Sequence, residues 1–147
     1  MSRPFLLDIN VLIALFDSAH IHHLQAHEWF SKSGCKGWRT CPVTENGLLR
    51  ILSHPAYTNS ALPIVDVAKR LEEFKSSSKT YHFWIEDFST ASWLSKSMLS
   101  VRSNQAADAY LLMLCKNKCG ALATFDRRIS PALIGETESE LIQNLPV

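Results

Sequence analysis

The sequence predicts an α/β protein, with a mainly parallel sheet covered by helices on both faces. Three observations point there. Short apolar runs of strand character alternate with stretches of helical periodicity, the order that puts crossover helices between parallel strands. At 147 residues the chain suits one core and leaves no room for a second of useful size, so residues 1–147 are expected to form a single domain. Hydrophobic residues make up 46% and charged residues 20%, a globular balance rather than a disordered one.

The elements follow in order. Phe5-Leu6-Leu7 reads as a strand that stops at Asp8, and Val11, Leu12 and Leu15 then take up helical spacing. A second amphipathic helix covers residues 24–32 with Trp29 and Phe30 inward, broken by Gly34 and Gly37. Trp38-Arg39-Thr40-Cys41 is the next strand, ended by Pro42. Thr44 is the expected cap of a helix reaching Leu52, with Val43 and Leu48 as a hydrophobic staple and His54-Pro55 as the stop. Residues 56–62 read as a loop, and Pro63 opens a helix through Phe74, closed by Ser76-Ser77-Ser78. Tyr81-His82-Phe83-Trp84 is the third strand, followed by a helix over 90–98 and a polar turn at Ser103-Asn104. Residues 106–115 are apolar almost all round, which marks a buried helix. Ala121-Leu122-Ala123-Thr124 is a fourth strand running into Phe125-Asp126, and residues 141–147 supply an edge strand or a short helix.

Composition narrows the function classes. A net charge of +1 does not draw a protein onto nucleic acid, so a polyanion must be held by a local basic patch or a bound metal. No apolar run approaches the roughly 18–20 residues of a membrane span. The start, Met1-Ser2-Arg3-Pro4-Phe5, does not read as a signal peptide, so a cytoplasmic location with reduced thiols is expected. Cys35, Cys41, Cys115 and Cys119 lack zinc-type spacing; Cys115 and Cys119, four apart, are expected on one buried helical face.

The informative anomaly is the placement of acids. Asp8 ends the first strand and Asp126 falls just past the fourth, at the carboxyl edge where open α/β sheets gather ligands. Glu45 shares a stripe with Leu48, Leu49 and Leu52, and Asp108 shares one with Leu111, Leu112 and Cys115. Both are expected in a first helical turn, pointing inward to that same edge. One acid at a helix start is explained by the macrodipole, a matter of about 0.3–1 kcal/mol. Converging carboxylates with no lysine beside them on those faces are not, because buried like charges cost several kcal/mol. A divalent cation with hard oxygen ligands, Mg²⁺ or Mn²⁺, resolves the conflict. Such an ion acidifies water and stabilises phosphodiester charge, which points to a hydrolase acting on phosphodiester bonds.

Four segments carry a family likeness: Leu6-Leu7-Asp8-Ile9-Asn10-Val11-Leu12, Cys41-Pro42-Val43-Thr44-Glu45-Asn46-Gly47, Ala107-Asp108-Ala109-Tyr110-Leu111-Leu112 and Leu122-Ala123-Thr124-Phe125-Asp126-Arg127. In order and spacing they resemble the motifs of PIN-domain nucleases, most of all the VapC toxins of bacterial toxin–antitoxin pairs. The resemblance implies a three-layer α/β/α fold and a Mg²⁺- or Mn²⁺-dependent endoribonuclease using metal-activated water. It implies that Asp8, Glu45, Asp108 and Asp126 are the catalytic and metal-binding quartet, supported by Asn10, Thr44 and Thr124. It further implies a homodimer, a VapB-type antitoxin that blocks the site, and structured RNA, either tRNA or a ribosomal RNA loop, as substrate. Two positions depart from the pattern: Ala107 where Thr or Ser is common, and Arg128 where Gly is common.

Other residues divide between chemistry and packing. His20, His22, His23 and His27 resemble a metal cluster but lie at a helix entry, where solvated or capping histidines are the simpler expectation. Arg50 is placed to meet a phosphate, an antitoxin carboxylate or an acid, or to serve only on the surface. Arg102, Arg127 and Arg128 are candidates for the local basic patch that RNA or an antitoxin would contact. Trp29, Trp38, Trp84 and Trp93 are expected in the core. Two alternatives stay open. A haloacid-dehalogenase-type phosphatase would want an acid at position 10, where Asn10 stands, and a later lysine. A catalytically inactive PIN-like RNA-binding or regulatory module would keep the fold without the metal.

Overall fold

The computed structural model describes residues 2–57, 61–86 and 88–147. In order, the main elements are β1 (Phe5–Leu7), α1 (Ile9–Phe16), α2 (His23–Lys32), β2 (Trp38–Thr40), α3 (Pro42–Leu52), α4 (Ile64–Ser76), β3 (Tyr81–Phe83), α5 (Thr90–Ser95), α6 (Ala106–Asn117), β4 (Ala121–Thr124) and β5 (Ile142–Asn144). Met1, the first residue of the Met1–Phe5 start, and residues 58–60 of the expected 56–62 loop lie outside the described residues.

The strands form one parallel sheet in the order β3-β2-β1-β4-β5. The chain therefore winds outward from β1 to β3, then returns to the other side of β1. The strand order reverses between β1 and β4, and their carboxyl ends flank the crevice where α/β sheets bind ligands. The register sets Leu7 opposite Ala123, so Asp8 emerges next to Thr124.

Strand alternation splits the core into two layers. Leu7 and Ala123 face one side, packing with Val11, Leu12, Trp38, Leu48 and Leu71 from β2 and the α1–α4 helices. Leu6 and Leu122 face the other, against Leu111, Leu112 and Cys115 of α6. The result is the expected α/β architecture with helices on both faces. Trp29, Trp38 and Trp84 are buried, and Trp93 packs against the second cluster, as core tryptophans should. Gly47 permits the close crossing of α3 over α1, since a Cβ there would fall 2.3 Å from Ile9 Cδ1. Among the described residues no helix is long and apolar enough to cross a membrane.

Four expectations change. The cap of α3 is Cys41, with Pro42 in the first helical position that suits proline. Thr44 lies one turn in, accepting from the Cys41 N–H at 3.0 Å and donating to the Cys41 carbonyl at 3.1 Å. With the start displaced, Val43 and Leu48 do not staple it; they pack on opposite sides of the sheet. The 90–98 helix stops at Ser95, because only Trp93 packs on the core and Met98 is fully exposed, leaving nothing to sustain a longer helix. Cys119 is not on the buried face of Cys115: it is exposed, in the left-handed conformation (φ 56°) that closes α6. All four cysteines are free thiols. At the end of the chain, residues 142–144 form the edge-strand alternative, seated by the Leu145 N–H to the Thr124 carbonyl at 3.0 Å.

Candidate active site

Asp8 leaves β1 as the N-cap of α1 and is 7% exposed. One carboxylate oxygen accepts the Ile9 N–H at 2.8 Å and the other accepts the Thr124 hydroxyl at 2.8 Å. Thr124, wholly buried at the end of β4, also accepts from Asn10 Nδ2 at 3.1 Å and from the Asp126 N–H at 3.0 Å. Its one donor and both lone pairs are thereby engaged. Asn10 Oδ1 accepts the Phe125 N–H at 3.1 Å. Through these bonds the ends of β1 and β4 are joined across the crevice, and both Asp8 and the backbone of Asp126 are held in place.

The electrostatics leave Asp8 in an unfavourable state. Burial, with added repulsion from Asp108 and Asp126, raises its pKa from 3.8 to about 6, against the opposing hydrogen bonds from Thr124 and Ile9. Its hydrogen-bond partners are neutral, and the charges acting on it are both negative. Asp108, in the first turn of α6, is also raised, by burial and then by Asp126, with Arg128 opposing. Asp126 goes the other way. It accepts the Arg128 N–H at 2.9 Å, Nε at 3.0 Å and Nη2 at 3.0 Å, and these bonds hold it below its ordinary value.

Glu45 stands apart from these three. Its Oε2 accepts the Thr40 hydroxyl at 2.5 Å, Lys75 Nζ at 3.0 Å and, at 3.4 Å, the Tyr81 hydroxyl. Lys75 also binds Glu72 at 2.6 Å; burial pulls its pKa down, but Glu72 and Glu45 outweigh that and hold it above its ordinary value. The expectation of acids without a nearby lysine is thus corrected, since Lys75 arrives from α4 rather than from the helix that carries Glu45. Thr40, Lys75 and Tyr81 are the residues that the sequence reading missed. A signal existed for Lys75: it follows Val67 and Leu71 at four-residue steps on the inward stripe of α4.

The arginine candidates fall in three places. Arg102 and Arg128 line a cleft of about 480 Å³ together with Asp108, Asp126, Gln105 and Ser130. The Arg127 guanidinium donates to the Leu145 carbonyl at 3.0 Å, fastening the chain beyond β5. Arg50 is exposed in the last turn of α3. Two of the four histidines close α1: His23 Nδ1 donates to the Ala14 carbonyl at 2.7 Å and His27 Nε2 to the Leu15 carbonyl at 2.9 Å, both acceptors in its last turn. The His22 ring stacks on Phe125, with centroids 4.9 Å apart.

The oxygens of Asp8, Asp108 and Asp126, beside the amide of Asn10, are chemically suited to a hard divalent cation. Among the described residues no three acidic, histidine or cysteine side chains stand close enough to enclose an ion, with Asp126 turned onto Arg128 and Glu45 onto Lys75.

A model of the PIN domain family matches residues 5–132, a span that contains all four acids. The chain belongs to the PIN-domain family. This PIN domain is 36% identical over 121 residues to ribonuclease VapC38 of Mycobacterium tuberculosis, covering 82% of this chain and 84% of that one. It is 35% identical over 144 residues to ribonuclease VapC44 of the same organism, covering 92% and 96%. Its fold is similar to the crystal structure of the M. tuberculosis toxin VapC20, described as cleaving the sarcin-ricin loop. There the TM-score is 0.61 at 12% identity, over 97% of this chain and 99% of that one.

Proposed function

We propose that this PIN domain is a divalent-metal-dependent endoribonuclease of the VapC toxin type. The observation that carries it is Asp8: a buried carboxylate with neutral hydrogen-bond partners, repelled by Asp108 and Asp126. Its cost is offset if a cation belongs there. Relatives named ribonucleases support the activity.

Asp8, Asp108 and Asp126 would hold Mg²⁺ or Mn²⁺, with Asn10 and Thr124 in support. When bound, the ion neutralises the carboxylates, acidifies a water molecule and stabilises charge on the phosphodiester. The chain supplies the rest. Ile9 N–H and the Thr124 hydroxyl fix the orientation of the Asp8 carboxylate, and Thr124 anchors the backbone that carries Asp126. Thr44 secures the start of the helix from which Glu45 projects. Glu45, paired with Lys75 and bonded by the Thr40 and Tyr81 hydroxyls, ties β2, β3 and α4 to the first turn of α3. Arg102 and Arg128 offer cationic contacts for RNA along the cleft beside Asp108. The substrate assigned to this site is a structured RNA, tRNA or a ribosomal RNA loop. A VapB-type antitoxin would neutralise the site in a cytoplasmic toxin that works as one domain in each copy of a homodimer.

The experiment is cleavage of total cellular RNA by purified protein with Mg²⁺ or Mn²⁺, with EDTA, and beside Asp8→Asn. Discrete fragments that require metal and vanish in the variant are expected. Fragments that persist at equal rate in EDTA or in Asp8→Asn would contradict the proposal. One observation favours the second reading, an inactive RNA-binding or regulatory module: Glu45 and Asp126 already carry cationic partners. That reading predicts RNA binding without cleavage and no stabilisation by Mn²⁺.

A further inference from the structure

Two of the acids hold basic side chains, and the two pairs are built differently. Lys75 is 15% exposed and gripped by two glutamates, with its ammonium near the rings of Tyr81 and Phe83. Arg128 is 91% exposed and, among the described residues, pairs with Asp126, itself 23% exposed. An exposed pair of that kind is worth little and exchanges easily. The guanidinium fork that grips both Asp126 oxygens is the same fork that grips phosphate. It opens on the cleft that Asp108, Arg102, Gln105 and Ser130 also line.

We propose that Arg128 is a phosphate-exchange residue, which holds the Asp126 carboxylate while RNA is absent and moves to a phosphodiester of the RNA entering the cleft. This rests on the nuclease reading above and adds an order to it. Only a side chain has to move. The Asp126 backbone stays fixed by Thr124, and the Arg128 N–H stays on Oδ1. Departure of the guanidinium leaves Asp126 and Asp108 facing each other without their cation. Two such carboxylates favour a divalent ion, so RNA and metal strengthen each other's binding. The consequence is an enzyme whose acidic site is completed by its own substrate. Arg128 is a positioning residue for Asp126 and a contact for the phosphate, and Arg102 is the second cation of the same cleft.

The test is calorimetric titration of the full chain with Mn²⁺ alone, without RNA, for wild type, Arg128→Ala and Arg128→Lys. Freed from competition, Arg128→Ala should bind Mn²⁺ about two- to fivefold more tightly than wild type, the scale of an exposed ion pair. Arg128→Lys, which keeps the charge but loses the fork, should fall between them. In RNA cleavage the order should invert, with kcat/KM lower by about tenfold or more in Arg128→Ala. The side chain is exposed, so melting temperatures should agree within a degree or two. Wild type that binds Mn²⁺ and cleaves RNA, beside an Arg128→Ala variant with equal or weaker Mn²⁺ affinity, would overturn the exchange alone. Wild type that neither binds Mn²⁺ nor cleaves RNA would overturn the nuclease reading as well.

Discussion

The sheet edge of this PIN domain holds two acidic regions that solve one electrostatic problem in opposite ways. Around Glu45 the protein supplies its own counter-ion: Lys75, packed against Tyr81, with hydroxyls from Thr40 and Tyr81 completing the shell. Around Asp8 the described residues supply dipoles, the Ile9 N–H and the Thr124 hydroxyl, and add two like charges. A region that is neutralised internally is costly to break by removing one partner. One left with excess negative charge costs stability and is suited to a ligand. Acidic side chains at one edge are therefore not equivalent, and the presence of a built-in cation separates them.

The comparison is broken most sharply at Asp8. Asp8→Asn should lower RNA cleavage by more than about a hundredfold, beyond the 10–100-fold that losing a merely supporting group costs. Cleavage assays at saturating Mn²⁺ check it. Thr124→Val keeps shape but removes the hydroxyl that links Asp8, Asn10 and the Asp126 backbone. A loss of about 10–100-fold in cleavage or Mn²⁺ affinity is expected, and a loss of less than threefold would show the link to be dispensable.

On the Glu45 side the change should appear in stability. Lys75→Met strands a carboxylate that is 18% exposed, at an expected cost of about 1–3 kcal/mol in denaturant unfolding. In a double-mutant cycle, Glu45→Gln should recover part of that loss.

A stability effect of similar size has the opposite sign. Asp8 has a folded pKa of about 6 against an ordinary 3.8, so between those values the folded state binds more protons than the unfolded one. Its contribution is most favourable below about pH 4 and is lost as pH rises to about 6, a difference of roughly 2–3 kcal/mol. In metal-free buffer, Asp8→Asn should melt higher than wild type at pH 7 and should lose the part of the pH dependence in that window that Asp8 supplies, leaving that of Asp108. Melts from pH 4 to 7 in EDTA decide it, and a variant that melts lower at pH 7 would refute the assignment.

These outcomes also mark what the sequence made legible. Asp8 and Asp126 could be placed because a strand end is a local event. Asp108 could be placed because the apolar run of α6 sets its phase. The Glu45 stripe was visible on α3, but its partner comes from α4, and the pattern of one helix does not report what another brings. Lys75 follows Val67 and Leu71 on the inward stripe of α4, so the hint was present as an out-of-place lysine. Arg128 is legible only as a departure at its position, since its grip on Asp126 depends on the conformation of the Asp126–Arg128 turn. The misplaced α3 cap has a local cause: Pro42 both ends β2 and starts the helix. The left-handed backbone at Cys119 carries none of the glycine that usually announces it.

The central claim is that the Asp8 carboxylate lacks a counter-ion that a divalent metal provides, whereas Glu45 has one in Lys75. It is tested most directly by following the melting of wild type, Asp8→Asn and Lys75→Met as Mn²⁺ is added. Wild type should gain stability, about 2.7 kcal/mol at a hundredfold excess over Kd. Lys75→Met should gain nearly as much from its lower starting point, and Asp8→Asn almost nothing. A wild type that does not respond, or an Asp8→Asn variant that gains as much as wild type, would contradict it.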